Sequence, residues 1–360
     1  MSNFYLFLVV FIPMVATMMF MPYLTRKTLS FGVTIPADAS ESVFIRNLRK
    51  SFALVTLVIA ILFAVAEALL AKWELAFPIL MIGFIIVNYL IYYRYHNKMK
   101  TFKATQNWQM DYQQKLTVDT SFRHKKRAFS NGWFVFAFLI TAASFFLSYF
   151  YYDRFPDRIP MHYDWDGTIN RWADKSYRTV FSFPILQVYL LLLFMFINRI
   201  ISRAKQTLDS DRPEHSVAQN IAFRKSWSAY LIMLGTLLIG LFGFIQLSMV
   251  IAIPIQVMKI VSIGLIVVIL IGSMILSFVT RQGGSGLKGK GEKAGSQVMN
   301  RDDDQFWKLG AFYCNRQDPA IWVEKRFGIG WTINIANPLA WVYLGAILVI
   351  AILISIFSIL

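Results

Sequence analysis

Eight apolar blocks divide this chain, near residues 3–23, 52–71, 75–93, 133–152, 180–198, 227–247, 258–279 and 338–360. Each runs to roughly twenty residues, the length a helix needs to cross the hydrocarbon core of a bilayer. In hydrocarbon every backbone N–H and C=O must find its partner inside the chain, which leaves helices or closed barrels. Long apolar runs without strand alternation select helices. The expected fold class is an all-α integral membrane protein of about eight transmembrane helices. Composition agrees, with 57% hydrophobic residues and a mean hydropathy of +0.52, well above a soluble domain.

The net charge of +16 has a topological reading that needs no nucleic acid. The stretches 24–51, 94–132, 199–226 and 280–337 hold 29 of the 36 Lys and Arg residues. Loop Lys and Arg orient a membrane protein with its basic side in the cytoplasm. Both termini are then expected outside. The first segment lacks a basic start and has Arg26 and Lys27 just after it, the pattern of a retained anchor rather than a cleaved signal peptide. The lipid bilayer is the partner this architecture requires, and the basic 94–132 loop is suited to anionic head groups. Cys314 is the single cysteine, so no intramolecular disulfide forms.

These segments divide the chain into six parts. Residues 1–152 form an N-terminal membrane region of four helices, 153–179 an outer loop, and 180–280 helices five to seven. A Gly-rich linker follows at 281–300, then an inner polar module at 301–337 and the last helix at 338–360. The run at 282–297, QGGSGLKGKGEKAGSQ, reads as flexible. Asp302-Asp303-Asp304 is placed to cap a short helix or solvate the module's entry. Beyond it, the runs 321–326 and 331–335 flank Phe327-Gly328-Ile329-Gly330, and the second alternates apolar and polar residues. That pattern predicts a β-hairpin.

Glu67 is the one acid inside an apolar block. An intramembrane carboxylate is costly and marks a functional candidate; its place near the outer end favours a side chain that reaches water. The two halves also echo each other. Ser42-Val43 leads to Arg49-Lys50-Ser51 and Ser216-Val217 to Arg224-Lys225-Ser226; Lys126-Arg127 precedes Gly132-Trp133, and Lys325-Arg326 precedes Gly330-Trp331. Parallel repeats are a known transporter design, although topology alone also places basic residues there.

The outer loop carries the densest chemistry. Pro156 and Pro160 favour extended backbone before them and Asp166-Gly167 is a turn signal. Ile159–Asp164 is therefore expected to run out, turn and return through Ile169–Trp172. Between Asp153 and Arg178 stand five acids and five bases, a nearly neutral element unlike the basic loops. His162, Asp164, Asp166, Asn170 and Asp174 offer metal ligands. A calcium loop aligned with its sixth position on Gly167 would begin at His162 and end at Ala173, which fails the pattern. No metal or other cofactor is expected.

The pattern Pro156-x-x-Ile159-Pro160-x-His162-Tyr163-x-x-x-Gly167, with Trp172 and Lys175 after it, resembles the characteristic loop of the SdpI family. These are bacterial multi-pass membrane proteins, and the namesake gives immunity to a secreted toxin and sequesters a transcriptional repressor at the membrane. The resemblance implies a bacterial plasma-membrane location. It also implies that His162, Tyr163, Asp164, Asp166, Gly167, Trp172 and Lys175 recognise an extracellular peptide or envelope component. The tail, with Trp307, Gly310, Tyr313, Asn315, Gly328, Gly330, Trp331 and Asn334, is similar to a short uncharacterised module of related multi-pass proteins. It is the place for a cytoplasmic regulator to dock.

No metalloprotease, nucleophile-elbow or phosphate-loop motif occurs, so a non-enzymatic role in sensing, signalling or toxin immunity is expected. The competing class is a transporter or lipid-handling protein with a cavity between two similar halves. Polar side chains gathered at one interhelical cavity would favour it.

Overall fold

The computed structural model describes residues 2–70, 72–73, 75–108, 113–115, 125–163, 168–210, 212–251, 253–287 and 298–359. Its main helices are α1 (Ser2–Leu24), α2 (Val43–Leu70), α3 (Ala76–Ala104), α4 (Val135–Phe150), α5 (Tyr177–Arg203), α6 (Pro213–Val250), α7 (Ile255–Thr280) and α8 (Pro338–Ile359). The first seven are long and apolar enough to cross a membrane, α4 with the short 3-10 turn ahead of it. The last is apolar too, with a shorter qualifying stretch at Pro338–Leu353. The protein is an all-α multi-pass membrane protein carrying small β elements.

α2, α3, α5 and α6 extend beyond the apolar blocks into their basic flanks, because polar residues at the mouth of a span do not interrupt intrahelical hydrogen bonding. α1, α2 and α3 pack around Phe7, Phe11, Val15, Ala60 and Phe84. α4, α5 and α6 pack around Phe134, Ala137, Leu191, Phe194 and Ile239. α7 bridges α1 and α6, and α8 lies on α5. The halves thus pair their helices differently: α4 packs on α5 and α6, whereas its counterpart α8 packs on α5. This arrangement lends no support to a duplicated fold.

Ten short strands are described. β1 (Leu29–Ser30) pairs with β2 (Val33–Thr34), and β3 (Gln113–Lys115) with β6 (Val298–Asn300), the latter parallel. The loop between α4 and α5 is a hairpin of β4 (Arg158–Tyr163) and β5 (Ile169–Asp174). The tail holds two more: β7 (Trp307–Lys308) with β8 (Phe312–Tyr313), and β9 (Trp322–Glu324) with β10 (Trp331–Ile333). The second of these is the hairpin expected from the alternating run.

Helices that alternate in direction put the β4–β5 hairpin at one end of the bundle. The tail module gathers at the other, with the ends of α1, α3, α5 and α7 and the start of α6. The linker departs from its expected character at its first turn. Gln282, Gly283 and Gly284 are buried in a 3-10 turn, where Gly283 at φ 57° lies against the Arg26 guanidinium. Positions 288–297 of the linker lie outside the described residues.

Candidate functional site

Two regions hold the candidate residues. At the hairpin end, Ile159 is buried with Phe155 and Val180, so β4 is rooted on the start of α5. Its register slips around His162, next to Pro160, which has no N–H to give the ladder. Lys175 donates from Nζ to the carbonyls of Phe155 (2.9 Å) and Asp153 (3.1 Å) and lies 5.1 Å from the Tyr152 ring. It therefore closes the base of the hairpin. The next residue, Ser176, forms a reciprocal capping box with Thr179 that starts α5.

Further out, His162 is exposed, with Nδ1 2.7 Å from Asn170 Oδ1. Trp172 sits opposite Pro160 and is exposed. Tyr163 pairs with Ile169. Asp164, Asp166 and Gly167 lie outside the described residues.

The tail module is tied to the bundle by buried charge. Arg26, just past α1, grips Glu324 of β9 with Nη2 at 2.8 and 2.7 Å from its two oxygens. The Arg26 backbone N–H donates to Gln282 Oε1 at 3.0 Å, and Gln282 in turn donates to the carbonyl of Lys325. Arg326 pairs with Asp303 and with Asp304 (2.6 Å), and donates to Thr34 Oγ1 at 2.8 Å. Lys103 at the end of α3 reaches Asp302 at 2.6 Å and Asp304 at 2.7 Å. All three aspartates pair with cations, Asp302 and Asp304 largely out of water and Asp303 with much of its side chain exposed; Asp303, the residue ahead of the following 3-10 turn, makes no side-chain cap.

Burial drives the Arg326 guanidinium down to about 10, against the pull of Asp302 and Tyr92, so it stays charged at neutral pH. Burial raises Asp304 against the opposing pull of Lys103. Asp302 feels burial as well, but its hydrogen bonds to Lys103 and to the Asp304 N–H, together with the charges of Lys103 and Arg326, outweigh it and lower the carboxyl. Glu324 is raised by burial, opposed by Arg26 and Arg224. Burial without such partners would be prohibitive for any of these charges.

The expected tail residues arrange this clasp. Trp307 is buried against Tyr313, with the Arg326 guanidinium 5.4 Å from its ring. Gly310 at φ 74° presses on His96, and its carbonyl accepts from the Tyr92 hydroxyl at 2.7 Å. Tyr313 donates to Asp318 at 2.7 Å, and Asp318 pairs with Lys205 past the end of α5 at 2.5 Å. Asn334 is fully buried; its Oδ1 accepts from the Asn315 N–H and its Nδ2 donates to the carbonyls of Asn315 and Asp318. Gly328 and Gly330 supply the positive φ of the β9–β10 turn. Trp331 takes the Arg224 guanidinium at 5.7 Å from its ring, while Arg224 donates to the carbonyls of Ile201, Ala204 and Lys205 that end α5.

Glu67 differs from the expectation of a water-reaching side chain. It is 1% exposed, and among the described residues its Oε2 finds no hydrogen-bond partner. The buried stripe of α2 runs through Ile45, Leu48, Phe52, Thr56 and Ala60 to Glu67, so helical spacing carries the carboxyl inward.

Sequence reasoning passed over Arg26, Lys103, Glu324 and Arg326 as charges of basic connections. It also passed over a polar ladder between α4, α5 and α6. Gln246 donates to Ser148 Oγ (2.6 Å) and to the Ser144 carbonyl (3.2 Å), and Gln187 to the carbonyl of Ile239 (3.1 Å). A signal existed: Gln187 shares the buried α5 stripe with Leu191, Phe194 and Asn198. At the module end, between the residues that follow α1 and the start of α6, a cleft of about 720 Å³ opens beside Arg26, Lys27, Asp38, Arg212 and His215.

Residues 139–188 match a domain of unknown function (DUF1648), and residues 316–341 match a family of unknown function (DUF5808). The first match covers the hairpin and its flanking helix segments, and the second covers the β9–β10 half of the tail module. Neither is specific to the SdpI family. No curated protein and no solved structure matches the chain. Fold and site together define a multi-pass membrane protein with a hairpin at one end and a charge-clasped module at the other.

Proposed function

We propose that this is a non-enzymatic bacterial plasma-membrane protein of sensing, signalling or toxin-immunity type. The β4–β5 hairpin recognises an extracellular peptide or envelope component, and the tail module receives a cytoplasmic regulator. Both termini and the hairpin then lie outside. The observation that carries this reading is the continuity of α5. It starts at the hairpin through the Ser176 capping box, and its last carbonyls are held by Arg224 under Trp331. One helix, with Pro184 in its first half, thus joins the hairpin to the module, and an element whose position both sites bias is what coupling between distant sites requires.

Survival under a panel of secreted antimicrobial peptides tests it. Cells lacking the protein are compared with cells carrying the intact chain or the pair His162→Ala and Trp172→Ala. Protection by the intact chain alone supports recognition at the hairpin; equal survival of all three strains under every peptide removes the immunity role.

Transport or lipid handling is the second reading, and the cleft beside Arg26, Arg212 and His215 at the module end favours it. Proteoliposomes of the intact chain would then show charge movement or solute uptake that Arg212→Ala with His215→Ala abolishes. Uptake equal to that of empty liposomes would sink it.

A further inference from the structure

An apolar groove of about 520 Å³ runs between α5 and α8, closed on one side by Phe145 of α4. On α5 it is lined by Ile185, Val188, Leu192 and Phe196, and on α8 by Ala346 and Ile350 among others. The α5 residues follow helical spacing, so they form one stripe roughly 16 Å long. Continued toward the module end, that stripe reaches Arg199 and Arg203 within the next two turns. Both arginines are exposed, and among the described residues neither forms an ion pair.

The depth of these residues is marked independently. Phe196 meets Tyr343 with ring centroids 5.4 Å apart, so the two lie at one level. Two residues before Tyr343, Trp341 is 58% exposed, as indoles are at the boundary between hydrocarbon and head groups. The groove therefore lies in hydrocarbon, where the filling solvent is an acyl chain, and the arginines stand at head-group level. Basic pockets between transmembrane helices on the cytoplasmic side bind anionic head groups.

The geometry points to a phospholipid site: one acyl chain of an anionic phospholipid fills the α5–α8 groove, and its phosphate is held by Arg199 and Arg203. The site draws only on the membrane architecture and stands apart from the hairpin's recognition role. Bound there, the lipid glues α8 to α5 beside the tail module.

The test is native mass spectrometry of the intact chain in detergent, with phosphatidylglycerol or phosphatidylcholine of identical acyl chains as probes. The intact chain is expected to retain phosphatidylglycerol preferentially, on the order of tenfold. Arg199→Gln with Arg203→Gln removes the preference, and the corresponding lysine pair restores most of it. Ala346→Trp, which fills the groove, lowers retention of both lipids. Glycerol phosphate at millimolar concentration leaves the bound lipid in place. Equal retention of the two lipids by the intact chain, or an unchanged preference in the Gln pair, overturns the proposal. Displacement by glycerol phosphate overturns it too, since the site would then read a free phosphate and not a lipid. None of these readings depends on peptide survival, so the two proposals fail separately.

Discussion

The β4–β5 hairpin and the tail module are both short antiparallel elements, yet the bundle holds them in different ways. The hairpin stands on an apolar root of Phe155, Ile159 and Val180 and is fastened by Lys175 at its base, while His162 and Trp172 face outward. The tail module has its own small core of Trp307, Tyr313 and Val323, but buried charge fixes it to α1, α3, α5 and α6. The hairpin keeps most of its polar side chains in water, whereas the module takes charged groups out of water, and each of those buried charges needs a partner.

The contrast is sharpest at Arg26. Arg26→Ala leaves Glu324 buried without its partner and is expected to cost about 3–5 kcal/mol, seen as a large drop in thermal midpoint in detergent. Replacing the pair together, Arg26→Met with Glu324→Leu, should recover most of it. If the single variant melts like the intact chain, the clasp is not what secures the module.

Gly310→Ala comes next. Its φ of 74° disfavours any other residue, and an added Cβ would lie 2.7 Å from the His96 ring. A loss of about 1–3 kcal/mol is expected. Unchanged protease resistance of residues 301–337 would show that the module tolerates a looser seat on α3.

At the hairpin the largest effect belongs to Lys175. Lys175→Ala removes two charge-assisted hydrogen bonds and is expected to cost about 1 kcal/mol, read as faster hydrogen exchange in β4 and β5. Exchange as slow as in the intact chain would move the fastening to the apolar root alone.

The module also has an alkaline limit. Burial, with the Asp318 hydrogen bond second, raises the Tyr313 hydroxyl from 10.0 to about 12. The folded chain holds this proton more tightly than the unfolded one, so the contribution is whole below pH 10 and lost as pH rises toward about 12. A melting series across that window should fall more steeply for the intact chain than for Tyr313→Phe; parallel curves would refute the assignment.

The smallest expected effect is His162→Ala, within about 0.5 kcal/mol because the site is exposed. The proposed recognition role places its consequence in peptide survival instead. A large loss of stability would instead make His162 part of the hairpin's framework.

Much of this arrangement is written in local sequence. Block length against bilayer thickness predicts the spans, Pro156, Pro160 and the turn signal predict β4 and β5, and the alternation after Gly330 predicts β10. Each is a property of neighbouring residues. Charge reads less well, because Arg26, Lys103, Arg326 and Asp302-Asp303-Asp304 look locally like residues of solvated connections. Their pairing joins positions nearly 300 residues apart, such as Arg26 and Glu324, and no periodicity records it. Glu67 is intermediate: its inward direction follows from the α2 stripe, but whether water or protein fills that side depends on what packs there. Sequence by itself determined that the chain spans a membrane and where two of its hairpins, β4–β5 and β9–β10, form. Only the tertiary structure decided which charges leave water, since that depends on partners brought together from distant loops once the helices have packed.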